Sequence, residues 1–245
     1  MTNADRDFVP ALGKSGSLER YDAAIALMTR EKRWRSDLVR LVAPQAGERI
    51  VDIGCGTGTL AIALKEAAPA TDMLAVDPDP AVLEIARAKA DAKGANIRWF
   101  EAMGDDLDTI DALQQCDKIV SSLVLHQCPM DIKQAIAAQM FRLLQPGGAL
   151  FIADYGEQRS LLMRMLFRQI QLLDGFEYTE PNAKGCVPEL LTAAGFEAVE
   201  EMRVIPTPTG SISIYRAKRC NLSIQALLRL IKAKQKENVI IYNLL

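Results

Sequence analysis

Val51-Asp52-Ile53-Gly54-Cys55-Gly56-Thr57-Gly58 is the stretch that decides the fold of this 245-residue chain. Arg49–Ile53 has the compact apolar character of a buried strand, and Thr59–Ala67, closed by Pro69, reads as a helix. The glycines therefore lie where a strand hands over to a helix. They permit positive φ and keep side chains out of a ligand's path, and the helix that follows leaves its first amides without intrahelical partners.

Outward from this turn the chain alternates. Met73–Val76 reads as a strand, Pro80 as the N1 residue of a helix over Ala81–Ala92 that stops at Gly94, and Ile97–Phe100 as a strand. Leu107–Leu113 is a short helix or turn, Lys118–Leu123 a strand, Asp131–Leu144 a helix, Pro146-Gly147-Gly148 a turn and Ala149–Ala153 a fifth strand. This succession predicts an α/β fold: a parallel sheet covered by helices on both faces, joined by right-handed crossovers. After Asp154 the rhythm changes. Arg159–Leu173 is a long helix whose stripe Leu162, Met163, Leu166, Phe167 and Ile170 reads as core. Asp174–Gly185 reads as irregular and Val187–Ala194 as a short helix. Ala198–Val204 and Ser211–Ala217 are strands joined through Pro206–Gly210, close enough for an antiparallel pair. Upstream, residues 1–17 form a polar arm. Leu18–Val42 is helical with a break at Thr29-Arg30-Glu31, and Trp34 and Arg35 read as part of an exposed, charged helix face.

Three acids end three consecutive strands on the carboxyl edge of this sheet, where ligands of open α/β sheets bind. Asp52 stands just before the glycine turn. A carboxylate there repels a pyrophosphate and attracts an ammonium, and the spacing G-x-G-x-G departs from the G-x-G-x-x-G of dinucleotide sites. Both features favour S-adenosylmethionine over NAD. Asp77, followed by Pro78, can accept two hydrogen bonds from a ribose diol, which either cofactor offers. Asp105, after Gly104, can accept from an adenine amino group.

These residues resemble the class I S-adenosylmethionine-dependent methyltransferases, in particular the UbiE-like group. The likeness is carried by Val51–Gly58, Asp77, Asp105, the segment Ser121-Ser122-Leu123-Val124-Leu125-His126, and Leu144-Gln145-Pro146-Gly147-Gly148-Ala149-Leu150. The resemblance implies a Rossmann-like sheet of seven strands in the order 3-2-1-4-5-7-6, strand seven antiparallel. It also implies S-adenosylmethionine bound by Asp52, Gly54, Cys55, Gly56, Gly58, Asp77, Pro78, Gly104, Asp105 and Ser121. Tyr21, near the N-terminal helix, is either a lid on the cofactor or an aromatic core anchor. Gln127, where the group often carries a second His, and the tail beyond residue 218 depart from its pattern. The organisation expected is an N-terminal arm and helices over the cofactor (1–44), the methyltransferase domain (45–218, with 155–186 on the acceptor side) and a C-terminal extension (219–245).

Methyl transfer is a displacement at a sulfonium, so the protein mainly positions and shields. The chain's one histidine, His126, follows the fourth strand; it is either a base for the acceptor or a residue that shapes the pocket. Tyr155, Phe176 and Tyr178 are the acceptor-side candidates. An NAD-dependent oxidoreductase would call for a Tyr-x-x-x-Lys pair, which is not found in place, and a non-catalytic cofactor-binding protein stays open. Five scattered cysteines without a C-x-x-C pair suggest reduced thiols, no metal centre and a cytoplasmic setting. No leader or membrane span is read. Net charge is −2, but residues 218–238 carry six basic side chains against one acid. That tail reads as a solvated face, so no nucleic-acid partner is expected; the partner is a small-molecule acceptor, and the protein a monomer or homodimer.

Overall fold

The computed structural model describes residues 28–221. Tyr21, the polar arm and the basic tail beyond Asn221 lie outside the described residues. The elements are α1 (Glu31–Val42), β1 (Arg49–Ile53), α2 (Thr59–Ala67), β2 (Asp72–Asp77), α3 (Pro80–Ala92), β3 (Arg98–Glu101), β4 (Cys116–Ser122), α4 (Met130–Leu143), β5 (Leu144–Tyr155), α5 (Leu161–Asp174), α6 (Phe176–Ala183), α7 (Val187–Ala193), β6 (Glu197–Thr207) and β7 (Gly210–Lys218), with 3₁₀ turns at Asp111–Leu113 and Leu125–Gln127.

One seven-stranded sheet has the order β3-β2-β1-β4-β5-β7-β6. β1 to β5 pair in parallel, and β7 runs antiparallel to both β5 and β6. Because β1 and β2 are apolar on both faces, each feeds two cores. Ile50, Met73 and Ala75 face α1 and α2, packing with Trp34, Leu38, Leu60 and Leu64. Val51, Ile53, Leu74 and Val76 face α4 and α7, packing with Ile136, Met140 and Leu190. Asp79 caps α3 through the Ala81 amide with Pro80 beside it, and Ser160 caps α5 through the Met163 amide. Among the described residues no helix is long and apolar enough to cross a membrane.

Four expectations need correction. Trp34 is fully buried rather than part of an exposed face, because Trp34, Leu38 and Val42 share the inward side of α1. The Pro146–Gly148 turn belongs to a continuous β5. Gly147 N–H bonds to the Arg219 carbonyl and Arg219 N–H to the Gly148 carbonyl, both at 2.9 Å, so the end of β7 holds this segment in the sheet as a local irregularity. Residues 176–183 are the helix α6 despite Pro181; the Thr179 hydroxyl secures its start on the Gly175 carbonyl. Finally, of the α5 stripe only Phe167 is buried. Leu162 is exposed, as are Leu161 (88%), Met165, Leu172 and Leu173 (79%), and α5 rests on the body through Phe167 and Gln171.

Candidate active site

The carboxyl ends of β1, β2 and β4 carry Asp52 with the glycine turn, Asp77 and Ser121. Gly54 and Cys55 amides bond to the Val76 carbonyl of β2, and the Gly58 amide closes back onto the Cys55 carbonyl. Gly54, Gly56 and Gly58 all have positive φ. At Gly54 an added Cβ would lie 2.3 Å from Val124, and at Gly58 2.6 Å from Trp99. Gly56 instead faces open space. The first two are required by packing and the third leaves room for a ligand. Gly58 offers no side-chain cap to α2. The Cys55 thiol, pushed well up by burial, is a neutral group that takes part through its backbone.

Asp52 is fully buried, and neither carboxylate oxygen has a hydrogen-bond partner of ordinary geometry. Burial raises its carboxyl to about 7; the Arg35 guanidinium and the Ala61 amide oppose this, and the Asp77 charge adds to it. Asp77, at the end of β2, accepts from Gly56 N–H at 2.8 Å and from Asp79 N–H at 3.0 Å. Burial still raises its carboxyl. Pro78 is half-buried beside it, and Gly104 and Asp105 follow β3, with the Asp105 carbonyl accepting from the buried Gln139 amide. Gly104 packs on Ile53 and Ile136. The Ser121 hydroxyl is committed to the Ile53 carbonyl at 2.8 Å, tying β4 to β1. Ser121→Ala should therefore cost about 1 kcal/mol in denaturant unfolding and leave cofactor affinity within about twofold; a tenfold loss would give this hydroxyl a direct role on the cofactor.

A second group forms at the ends of β4 and β5. His126 is only 7% exposed in its side chain. Its Nδ1 lies 2.8 Å from Asp154 Oδ1 and its Nε2 3.3 Å from Asp174 Oδ2. Burial would lower the imidazole, but the two carboxylates outweigh it and hold it up at about 9. Asp154, fully buried, also accepts from the Leu125 and Tyr155 amides, both at 2.7 Å. Lys133, fully buried on α4, donates to the Leu125 carbonyl and, at 2.8 Å, to the Tyr178 carbonyl. Tyr155 stacks edge-on against His126 with ring centres 5.0 Å apart, packs on Phe167, and shares a 2.7 Å hydrogen bond with Thr209. Phe176 is half-exposed and lines a 270 Å³ cavity with Arg164, Phe167, Arg168 and Gln171. Tyr178 enters this group through its carbonyl.

Sequence reasoning missed Asp154, Asp174 and Lys133. Asp154 carried a readable signal: like Asp52 and Asp77, it is an acid at the carboxyl end of a parallel strand.

Comparison with known proteins agrees with the fold. A methyltransferase domain model matches residues 50–148. A demethylmenaquinone methyltransferase of Thermus thermophilus is 30% identical over 198 residues, covering 78% of this chain and 87% of that protein. The chain belongs to the UbiE-like class I S-adenosylmethionine-dependent methyltransferases. The ubiquinone/menaquinone biosynthesis C-methyltransferase UbiE of Syntrophotalea carbinolica is 28% identical, covering 61% of this chain, which spans 62% of that relative's length. Among solved structures, a SAM-dependent methyltransferase from Thermotoga maritima shares the fold, with a TM-score of 0.61 at 18% identity over 82% of this chain and 95% of that one. This methyltransferase therefore carries out S-adenosylmethionine-dependent methyl transfer to a small-molecule substrate.

Proposed function

We propose that the cofactor binds with its ammonium against Asp52, its ribose diol on Asp77 and its adenine amino group at Asp105. Its methyl group then points to an acceptor near His126, bordered by Tyr155, Phe176 and Tyr178. The names of the Thermus and Syntrophotalea relatives favour a quinone-type acceptor. The observation that carries the cofactor assignment is Asp52: a buried acid whose oxygens have no hydrogen-bond partner of ordinary geometry, at the head of a glycine turn, suits a cation. When bound, the cofactor supplies an activated methyl on a sulfonium. The chain's own residues orient it. Gly56 clears space, the turn amides stay fixed to β2, and Asp77 is presented by two backbone donors.

The raised Asp52 carboxyl gives a pH test. Its folded value of about 7 lies above the ordinary 3.8. The associated stability is thus complete below the unfolded value and is lost as pH rises through about 7. A bound ammonium stabilises the ionised form and relieves that loss. Calorimetry should show S-adenosylhomocysteine affinity rising with pH up to about 7 and then levelling, with a slope of up to about tenfold per unit on the acid side. Asp52→Asn should flatten the profile. Binding of NAD alone would overturn the cofactor assignment, and a flat wild-type profile would remove the ammonium from Asp52.

A further inference from the structure

We propose that Asp174 is a positioning residue whose carboxylate caps His126 Nε2 in the place an acceptor's anionic oxygen takes, so that the acceptor is a molecule presenting a carboxylate, phenolate or enolate. This rests on the reading of His126 as facing the acceptor.

The two carboxylates on His126 differ in kind. Asp154 is fixed: it is fully buried at the end of β5, and its oxygens also accept the Leu125, His126 and Tyr155 amides. Its bond to Nδ1 sets the ring's orientation. Asp174 is held loosely. Its side chain is 21% exposed, the contact with Nε2 is 3.3 Å, and it has no other hydrogen-bond or ion-pair partner among the described residues. It is the last residue of α5 and is followed by Gly175, whose φ of +92° gives the chain a pivot between α5 and α6. Leu172 and Leu173, just before it, contribute exposed rather than buried surface. Drawing this end of α5 back therefore uncovers little packed apolar area.

Charge balance supplies the ligand class. The groups around the imidazole are Asp154 and Tyr155 from β5, Asp174 from α5, Lys133 from α4, which is tied to the Leu125 and Tyr178 carbonyls, and the Cys128 thiol, which burial raises to about 11. Between two carboxylates the ring is an imidazolium, a donor rather than a base. If Asp174 leaves and nothing anionic replaces it, the buried cation loses a counter-charge; if an anionic oxygen replaces it, the local charge is unchanged. The acceptor would thus arrive already ionised. The new bond forms from the acceptor to the methyl carbon as the carbon–sulfur bond breaks, the thioether departs neutral, and no proton needs to reach His126.

The chain contains one histidine, so imidazole NMR on the full-length protein reports His126 alone. Wild-type His126 should titrate well above 6.5. Asp174→Asn should lower it by about one unit or more, and Asp174→Glu should largely restore it. Benzoate should then shift the His126 resonances of Asp174→Asn at a concentration about tenfold lower than in wild type, and raise its titration point, whereas benzamide should do neither. An unchanged titration in Asp174→Asn, or an equal response to benzoate in both proteins, would overturn the proposal. Calorimetry of wild type with S-adenosylhomocysteine separates the two readings. Failure to bind it, with His126 responding as stated, would remove the cofactor assignment and leave that of Asp174 standing.

Discussion

Asp77→Ala should weaken S-adenosylhomocysteine binding by about 100-fold. In the free protein Asp77 already accepts one backbone N–H on each oxygen, from Gly56 at 2.8 Å and Asp79 at 3.0 Å. Each oxygen retains further acceptor capacity. A ribose diol fills that capacity with two hydroxyl donors. Hydrogen bonds to a charged acceptor contribute about 1.5–3 kcal/mol each, so losing both costs roughly 3 kcal/mol or more, equivalent to about two orders of magnitude in affinity. The substitution also releases the Gly56 amide and loosens the turn. Asp77→Asn separates the two effects, because it keeps the side-chain shape and one carbonyl acceptor while removing the charge. Calorimetry should place it between wild type and Asp77→Ala, about tenfold down. Unchanged affinity in Asp77→Ala would mean that the ribose lies elsewhere.

The parts of this molecule that could be read from its sequence are those governed by local chemistry. The strands β1 and β2 are short apolar runs bounded by Gly and Pro, and the start of α3 is written in Asp79-Pro80. The three acids proposed for the cofactor could be picked out because the alternation itself puts Asp52 and Asp77 at the ends of β1 and β2 and Asp105 in the turn after β3. What failed required knowledge of which face a helix turns inward. α5 has leucines and methionines nearly all round, so its periodicity does not show that Phe167 and Gln171 are the buried side and Leu161 and Leu173 the exposed one. Trp34 lies between Arg33 and Arg35 and reads as surface, although its spacing to Leu38 and Val42 places all three on one face. α6 hid behind Pro181 and Asn182, residues typical of loops. Here the buried Asn182 amide donates to the Tyr155 carbonyl at 2.9 Å and pins the helix to β5. The role of Asp174 was not legible at all, since it depends on the packing of α5 that brings its last residue to His126.

Gly58→Ala should destabilise the protein by about 3 kcal/mol in denaturant unfolding. Two costs add. Gly58 has φ +75°, a left-handed conformation that costs a residue with a Cβ about 1–2 kcal/mol. The new Cβ would also stand 2.6 Å from Trp99 Cη2 and 2.9 Å from Ala86 Cβ, so β3 and α3 must shift, at an overpacking cost of about 1–3 kcal/mol. Gly56→Ala offers the contrast. Its φ is +51° but no atom lies within 4 Å of the added Cβ, so only the backbone cost applies, about 1 kcal/mol in stability. That methyl group would instead occupy the space assigned to the cofactor, and its loss should appear in affinity. The pair thus divides one motif into a glycine needed for packing and a glycine needed for the ligand. The packing claim can be tested further by Trp99→Phe, which removes the indole atoms nearest Gly58. Combined with Gly58→Ala it should recover part of the loss, giving a coupling of about 1 kcal/mol in a double-mutant cycle. Strict additivity would show that Trp99 yields freely, leaving the left-handed backbone and Ala86 as the reasons for glycine at this position.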